Sequence, residues 1–200
     1  MAARHLWKDL PVIARRHALG AGGLALLLAA CQTPIVQRAL PEDGTIDLLT
    51  LLRGKPEHSR FAAALAVSGA VPRLGLRSGA VTLFAPVNDG FAGLPAPVLA
   101  LLDNPPSNPT EAQRALVQPI VFANAAFGLL RFQDISVRRN VVVTWDRARL
   151  QVRPTGARTA TLVREGVTQV AGRAPVTITR GDVLASDGVL HVTSAPVLPG

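Results

Sequence analysis

Thr82-Leu83-Phe84-Ala85-Pro86-Val87-Asn88-Asp89-Gly90-Phe91 and Ser186-Asp187-Gly188-Val189-Leu190-His191-Val192 are the stretches whose reading decides the fold. Each sets polar residues into an apolar run beside a tight-turn sequence, the pattern of a strand entering or leaving a turn. They lie about a hundred residues apart, close to one domain's length. Leu94-Pro95 follows the first and Leu198-Pro199 follows the second.

Between and before them the apolar period changes. Thr45 to Leu52 suits a short helix, with an acid in its first turn and Gly54 and Pro56 closing it. Pro56 or Ser59 starts a second helix that runs to Gly69, with Phe61, Ala64 and Leu65 on one face. Val81 to Ala85 is the first strand. Pro97 suits the first position of a helix over Val98-Leu102. Thr110 and Gln113 form a capping-box pattern that opens a helix carrying Ala112, Leu116 and Ile120, which Pro119 should end or kink. From about residue 137 the pattern alternates. It predicts short strands at Val141-Thr144, Leu150-Val152, Thr161-Val163, Val167-Val170, Val176-Ile178 and Val189-Val192. Helices first and strands afterwards predict an α+β domain, with helices to one side of a mostly antiparallel sheet.

The two segments resemble the signatures that open and close the core of a fasciclin-like domain. Thr82, Phe84, Pro86, Asn88 and Phe91 match the first, and Asp187, Gly188 and His191 match the second. The resemblance covers about residues 43–199. It implies a single domain of β wedge or sandwich form with a flank of short helices, and it implies a structural role for those eight residues. Many members carry a Tyr-His pair at the end of the helix before the strand-rich half. The matching place here is Gln118-Pro119 or a neighbour, and neither Tyr nor His is present. The adhesive roles assigned to that pair in animal relatives therefore do not carry over.

The leader gives a location. Arg4, Lys8, Arg15 and Arg16, with one acid, Asp9, precede the apolar run Ala18-Ala30, which is too short to span a bilayer. The run ends in Leu28-Ala29-Ala30-Cys31, which resembles the bacterial lipobox, and Cys31 is the only cysteine in the chain. We therefore expect a signal peptide over residues 1–30, lipidation of Cys31, a tether over 31–42 and the domain over 43–200. One thiol placed at the acylation point also suits an oxidising compartment. Arg15-Arg16 hints at twin-arginine export, although His17-Ala18-Leu19 fits that motif poorly and leaves the route open. These features place the chain on the bacterial cell envelope, facing the periplasm or held at the outer membrane.

The chain carries 21 basic and 13 acidic side chains, a formal charge of +8. The arginines are scattered and aromatic platforms are few, so no nucleic-acid partner is expected. After removal of the leader only His58 and His191 remain as histidines, too few ligands for zinc, and neither metal nor cofactor is expected. Ser186, Asp187 and His191 contain the residue types of a nucleophilic triad, but closeness in sequence supplies neither a poised base nor an oxyanion hole. A half-buried His191 bonded to backbone, and Asn88 and Asp187 bonded to local backbone beside a Gly188 free to take a positive φ, are the simpler readings. Arg180-Gly181-Asp182 spells the tripeptide read by animal integrins, yet Asp182 falls at a common aspartate of the family pattern. Asn108-Pro109-Thr110 is no glycosylation acceptor, because proline fills the middle position.

The expected function is a non-catalytic interaction or adhesion module, held by a lipid anchor and meeting a protein or glycan of the envelope. A periplasm-facing small-molecule binding protein or enzyme accessory is the alternative, distinguished by a concave apolar pocket.

Overall fold

The computed structural model describes residues 40–73, 80–166 and 174–200. Among these residues four α-helices come early: α1 (Leu48–Arg53), α2 (Ser59–Ser68), α3 (Ala96–Asp103) and α4 (Glu111–Ala123). Seven strands follow the first two helices: β1 (Val81–Pro86), β2 (Ala125–Phe127), β3 (Val141–Val143), β4 (Arg149–Pro154), β5 (Ala160–Arg164), β6 (Val176–Ala185) and β7 (Gly188–Thr193). The expected strand Val167-Val170 lies outside the described residues, as does Cys31 with the leader.

Local chemistry accounts for the helix ends. Asp47 accepts the Thr50 N–H at 2.9 Å and caps α1. Gly69, at φ 70°, closes α2 in the left-handed region that glycine enters without strain. Thr110 and Gln113 make the reciprocal capping box that opens α4.

Pro119 does not stop α4 as its ring would suggest. The helix continues to Ala123, and Ile120, Val121 and Ala123 of that last turn are all buried. Packing of the final turn therefore outweighs the hydrogen bond that proline cannot donate. Asn124, fully buried just past the helix, donates to the Ile120 and Val197 carbonyls and accepts the Val197 N–H. One side chain thus ties the helix end to the C-terminal segment.

The strands form one sheet in the order β2-β1-β7-β6-β5-β4-β3. Every pairing is antiparallel except β1 with β7. The two edges of the sheet approach each other: Ala126 bridges Thr144, and the Trp145 N–H donates to the Ala125 carbonyl at 2.8 Å. The sheet therefore curls on itself, which relieves two edges that would otherwise expose unpaired backbone.

Alternation along β1 divides the core. Val81, Leu83 and Ala85 pack with Leu48, Leu52, Phe61, Leu65, Val117 and Val121 from the helices. Phe84 faces the other way, among Phe132, Ile135, Val142, Leu150, Leu162 and Ile178. Both sides of β1 are dry, so all six of its residues are buried. Each fully buried Leu or Phe contributes about 1.5–3 kcal/mol against exposure, and together they decide the strand's central place.

Candidate functional site

The two signature segments lie side by side. β1 and β7 run parallel in the sheet, with Thr82 opposite Val189 and Phe84 opposite His191. A parallel pair needs a long crossover, here α3, α4 and the whole of the remaining sheet. The segments that open and close the domain thus pair with each other in the sheet.

The side chains of Thr82, Asn88, Asp187 and His191 are each bonded to backbone or to a framework residue. The Thr82 hydroxyl donates to the Gly128 carbonyl at 2.7 Å and accepts the Leu130 N–H at 3.0 Å. The Pro86 carbonyl accepts from His58 Nδ1 at 3.0 Å, which anchors the turn before α2. Asn88 donates to the Pro56 carbonyl and the Ser59 hydroxyl and accepts the Arg60 N–H. Arg60 in turn donates to the Asn88 carbonyl and pairs with both oxygens of Asp103. Phe91 is fully buried in the helical half of the core. Asp187 Oδ1 accepts the Leu48 N–H at 2.8 Å, satisfying an otherwise free donor at the start of α1. These bonds span 28 to 139 residues, so Asn88 and Asp187 fasten distant elements rather than shaping local turns.

Gly188 serves close approach rather than an unusual φ. The positive-φ glycines among the described residues are Gly44, Gly69, Gly128 and Gly166. A Cβ on Gly188 would lie 1.9 Å from the Val81 carbonyl oxygen. Only glycine lets β7 begin this near to β1.

His191 is fully buried and stacks on Phe84, with ring centroids 5.6 Å apart. Its Nε2 lies 2.9 Å from the Leu130 carbonyl, and its Nδ1 accepts the Asp182 N–H at 3.2 Å. The carbonyl can only accept, so the geometry assigns a neutral ring protonated at Nε2. Burial pushes its pKa below the ordinary 6.5, against smaller opposing pulls from the Leu130 carbonyl and the Asp182 charge. Asp187 and His191 thus hold separate backbone groups, and Ser186, Asp187 and His191 form no relay with one another.

The Arg180-Gly181-Asp182 tripeptide lies in an irregularity of β6, not on a free loop. Arg180 pairs with Glu42, and the Gly181 N–H donates to the Arg158 carbonyl at 3.1 Å. Asp182, at φ 59°, accepts the Phe132 N–H at 2.7 Å. The two charged side chains are held apart by these separate duties.

A surface the sequence analysis missed lies where the sheet edges meet. The Ala126–Thr144 bridge sets Phe127 beside Val143 across the seam, with exposures of 62% and 54%. Trp145 lies against Phe127 with ring centroids 5.5 Å apart, and meets Phe122 of α4 edge-on at 5.8 Å. Its indole Nε1 is buried without a hydrogen-bond partner among the described residues. Beyond the tryptophan, Asp146 accepts from Thr144, Ala148 and Arg164, which fixes the β3–β4 turn. Those bonds and the Arg164 charge hold the Asp146 carboxyl below its ordinary range, although burial is the largest single influence and acts upward. Gln118 and Pro119, the expected place of the missing Tyr-His pair, lie on α4 and are half-buried and exposed respectively. Alternation around Val143-Thr144-Trp145 was the available signal, but it does not reveal which edge the strand meets.

The fasciclin domain family model matches residues 56–199. No curated protein matches the sequence. Among solved structures, a domain pair from the insect cell adhesion molecule fasciclin I superposes with a TM-score of 0.54 at 18% identity. That match covers 78% of this chain and 52% of the insect chain, so the present sequence spans about half the length of that relative.

Proposed function

Because the chain belongs to the fasciclin domain family, we propose that it is a non-catalytic interaction or adhesion module, exported and lipid-anchored through Cys31 to a bacterial cell envelope. The observation that carries this reading is the use made of the signature residues. Asp187 and His191, the pair that could have suggested hydrolytic chemistry, each bind distant backbone and brace the framework. The result is a rigid body whose contribution is the surface it presents. The leader supports the location: a basic region and a short apolar run end at the single cysteine. The partner is a protein or glycan of the envelope or surface.

The test is a pull-down from envelope extract with the soluble domain, residues 32–200. The expected result is a discrete protein or glycan retained over a charge-matched unrelated domain and lost when the bait is heat-unfolded. Retention of nothing above that control would contradict the interaction reading.

A further inference from the structure

We infer that the apolar seam between β2 and β3 is the face on which this domain rests against an anionic lipid bilayer, an inference that builds on the proposed lipid anchor. Scattered exposed apolar residues are ordinary on a protein surface, whereas a contiguous group is informative. Among the described residues the exposed large apolar side chains are Leu116, Phe127, Leu129, Val137 and Val143. All but Leu116 fall between Phe127 and Val143, on β2, β3 and the connection joining them. Phe127 and Val143 face each other across the sheet closure, and Trp145 extends the strip.

Charge selects the occupant. The chain from Phe127 to Arg147 carries Arg131, Arg138, Arg139 and Arg147, all exposed. Its two acids are already engaged, Asp134 with Arg138 at 3.4 Å and Asp146 with Arg164 at 2.7 Å. Arg131, Arg139 and Arg147 form no ion pair among the described residues. An apolar strip holding a tryptophan, with arginines free of ion pairs on the connection before β3 and the turn after it, has the chemistry of a surface that seats at a bilayer interface. The rings enter the headgroup boundary and the cations meet anionic headgroups.

The tether is consistent with this placement. Eight residues separate Cys31 from Leu40, and the nine steps from one to the other reach at most about 30 Å. That is less than the diameter of about 40 Å expected of a domain of this size, so the anchor would keep the domain beside the membrane. Docking at the seam leaves the opposite side of the domain for an envelope partner.

The experiment uses the full chain with Trp7→Phe, expressed and processed in a lipoprotein-competent bacterium, so that Trp145 is the only fluorophore. The protein is reconstituted into vesicles with brominated acyl chains, either phosphatidylglycerol with phosphatidylethanolamine or phosphatidylcholine alone. On the anionic vesicles Trp145 emission is expected to be quenched by bromolipid and shielded from acrylamide. Combined Arg131→Glu, Arg139→Glu and Arg147→Glu substitutions should lower the docked-to-undocked ratio on the order of a hundredfold. Circular dichroism of that variant should match the parent, since all three side chains are exposed. Absent quenching on anionic vesicles, equal quenching on both lipids, or quenching indifferent to charge reversal overturns the proposal. So does acrylamide shielding without bromolipid quenching, because a second copy or another protein would then cover the seam. Mass spectrometry of Cys31 keeps the two claims separate. An acylated chain with no quenching refutes the seam alone. An unacylated chain that is quenched on added anionic vesicles refutes the anchor alone.

Discussion

Asp187 Oδ1 accepts the backbone N–H of Leu48 at 2.8 Å, so the turn before the last strand caps the first helix across 139 residues of sequence. The next residue, Gly188, begins β7 against Val81 of β1, and the Val81 N–H donates to the Asp187 carbonyl at 3.1 Å. One dipeptide therefore joins the helical layer to the β1–β7 pair of the sheet.

Asp187→Ala should cost about 1–2 kcal/mol, the value of a lost helix-capping acceptor at a partly buried site. In a domain of this size that corresponds to a fall in Tm of about 3–8 °C. Asp187→Asn retains an acceptor oxygen and should recover most of the loss. Thermal melts followed by circular dichroism compare the three proteins, and an Asn variant as unstable as the Ala variant would argue against the cap.

Gly188→Ala should be far worse. Its Cβ would fall 1.9 Å from the Val81 oxygen and 2.8 Å from Leu48, and the first of these is backbone that cannot rotate away. A cost of at least about 3 kcal/mol is expected, since relief requires separating the central strand pair. Gly69→Ala provides the contrast: nothing lies within 4 Å, so only the positive φ of 70° is strained. Chemical denaturation should rank Gly188→Ala well below Gly69→Ala, and equal midpoints would refute close approach as the reason for the glycine.

Acid should weaken the fold before most carboxylates titrate. Burial lowers the pKa of both His58 and His191 relative to the ordinary 6.5, so each is held neutral in the folded chain. The unfolded chain then binds more protons below about pH 6.5, and the native state loses stability as pH falls from there toward the folded pKa values. Above about pH 7 this contribution is complete and flat. The slope in the sensitive window is at most about 1.4 kcal/mol per pH unit for each histidine. Urea midpoints measured from pH 8 to pH 5 should show the decline, and a His58→Gln, His191→Gln chain should show a shallower one. An unchanged slope in that variant would assign the acid sensitivity elsewhere.

The elements legible in the sequence were those with strong local signals. The Thr110–Gln113 capping box, the period of α2 and the alternation at Val141-Thr144, Leu150-Val152, Thr161-Val163, Val176-Ile178 and Val189-Val192 each depend on near neighbours, and each forms its element. The fasciclin resemblance drew on the same two segments that the sheet brings together. What local pattern could not supply was partnership. β2 is only Ala-Ala-Phe, without the β-branched run that marks a strand, and it exists because Val81-Leu83 offers it an edge. The helical turn at Asp134–Arg138 carries no distinguishing motif and is shaped by burial of Ile135 and Ser136. Pro119 does not end α4 as its local rule allows, because burial of Ile120 and Val121 holds the last turn. The Phe127–Val143 seam was invisible for the same reason, since its members come from opposite edges of one sheet.

The most direct test of the central claim, an envelope-anchored interaction module, is metabolic labelling of cells with a clickable palmitate analogue, followed by membrane fractionation. The account predicts that the wild-type chain is labelled and recovered with the envelope membranes. Cys31→Ala should lose both properties while its domain remains folded. Equal labelling and equal membrane recovery of the two chains would contradict it.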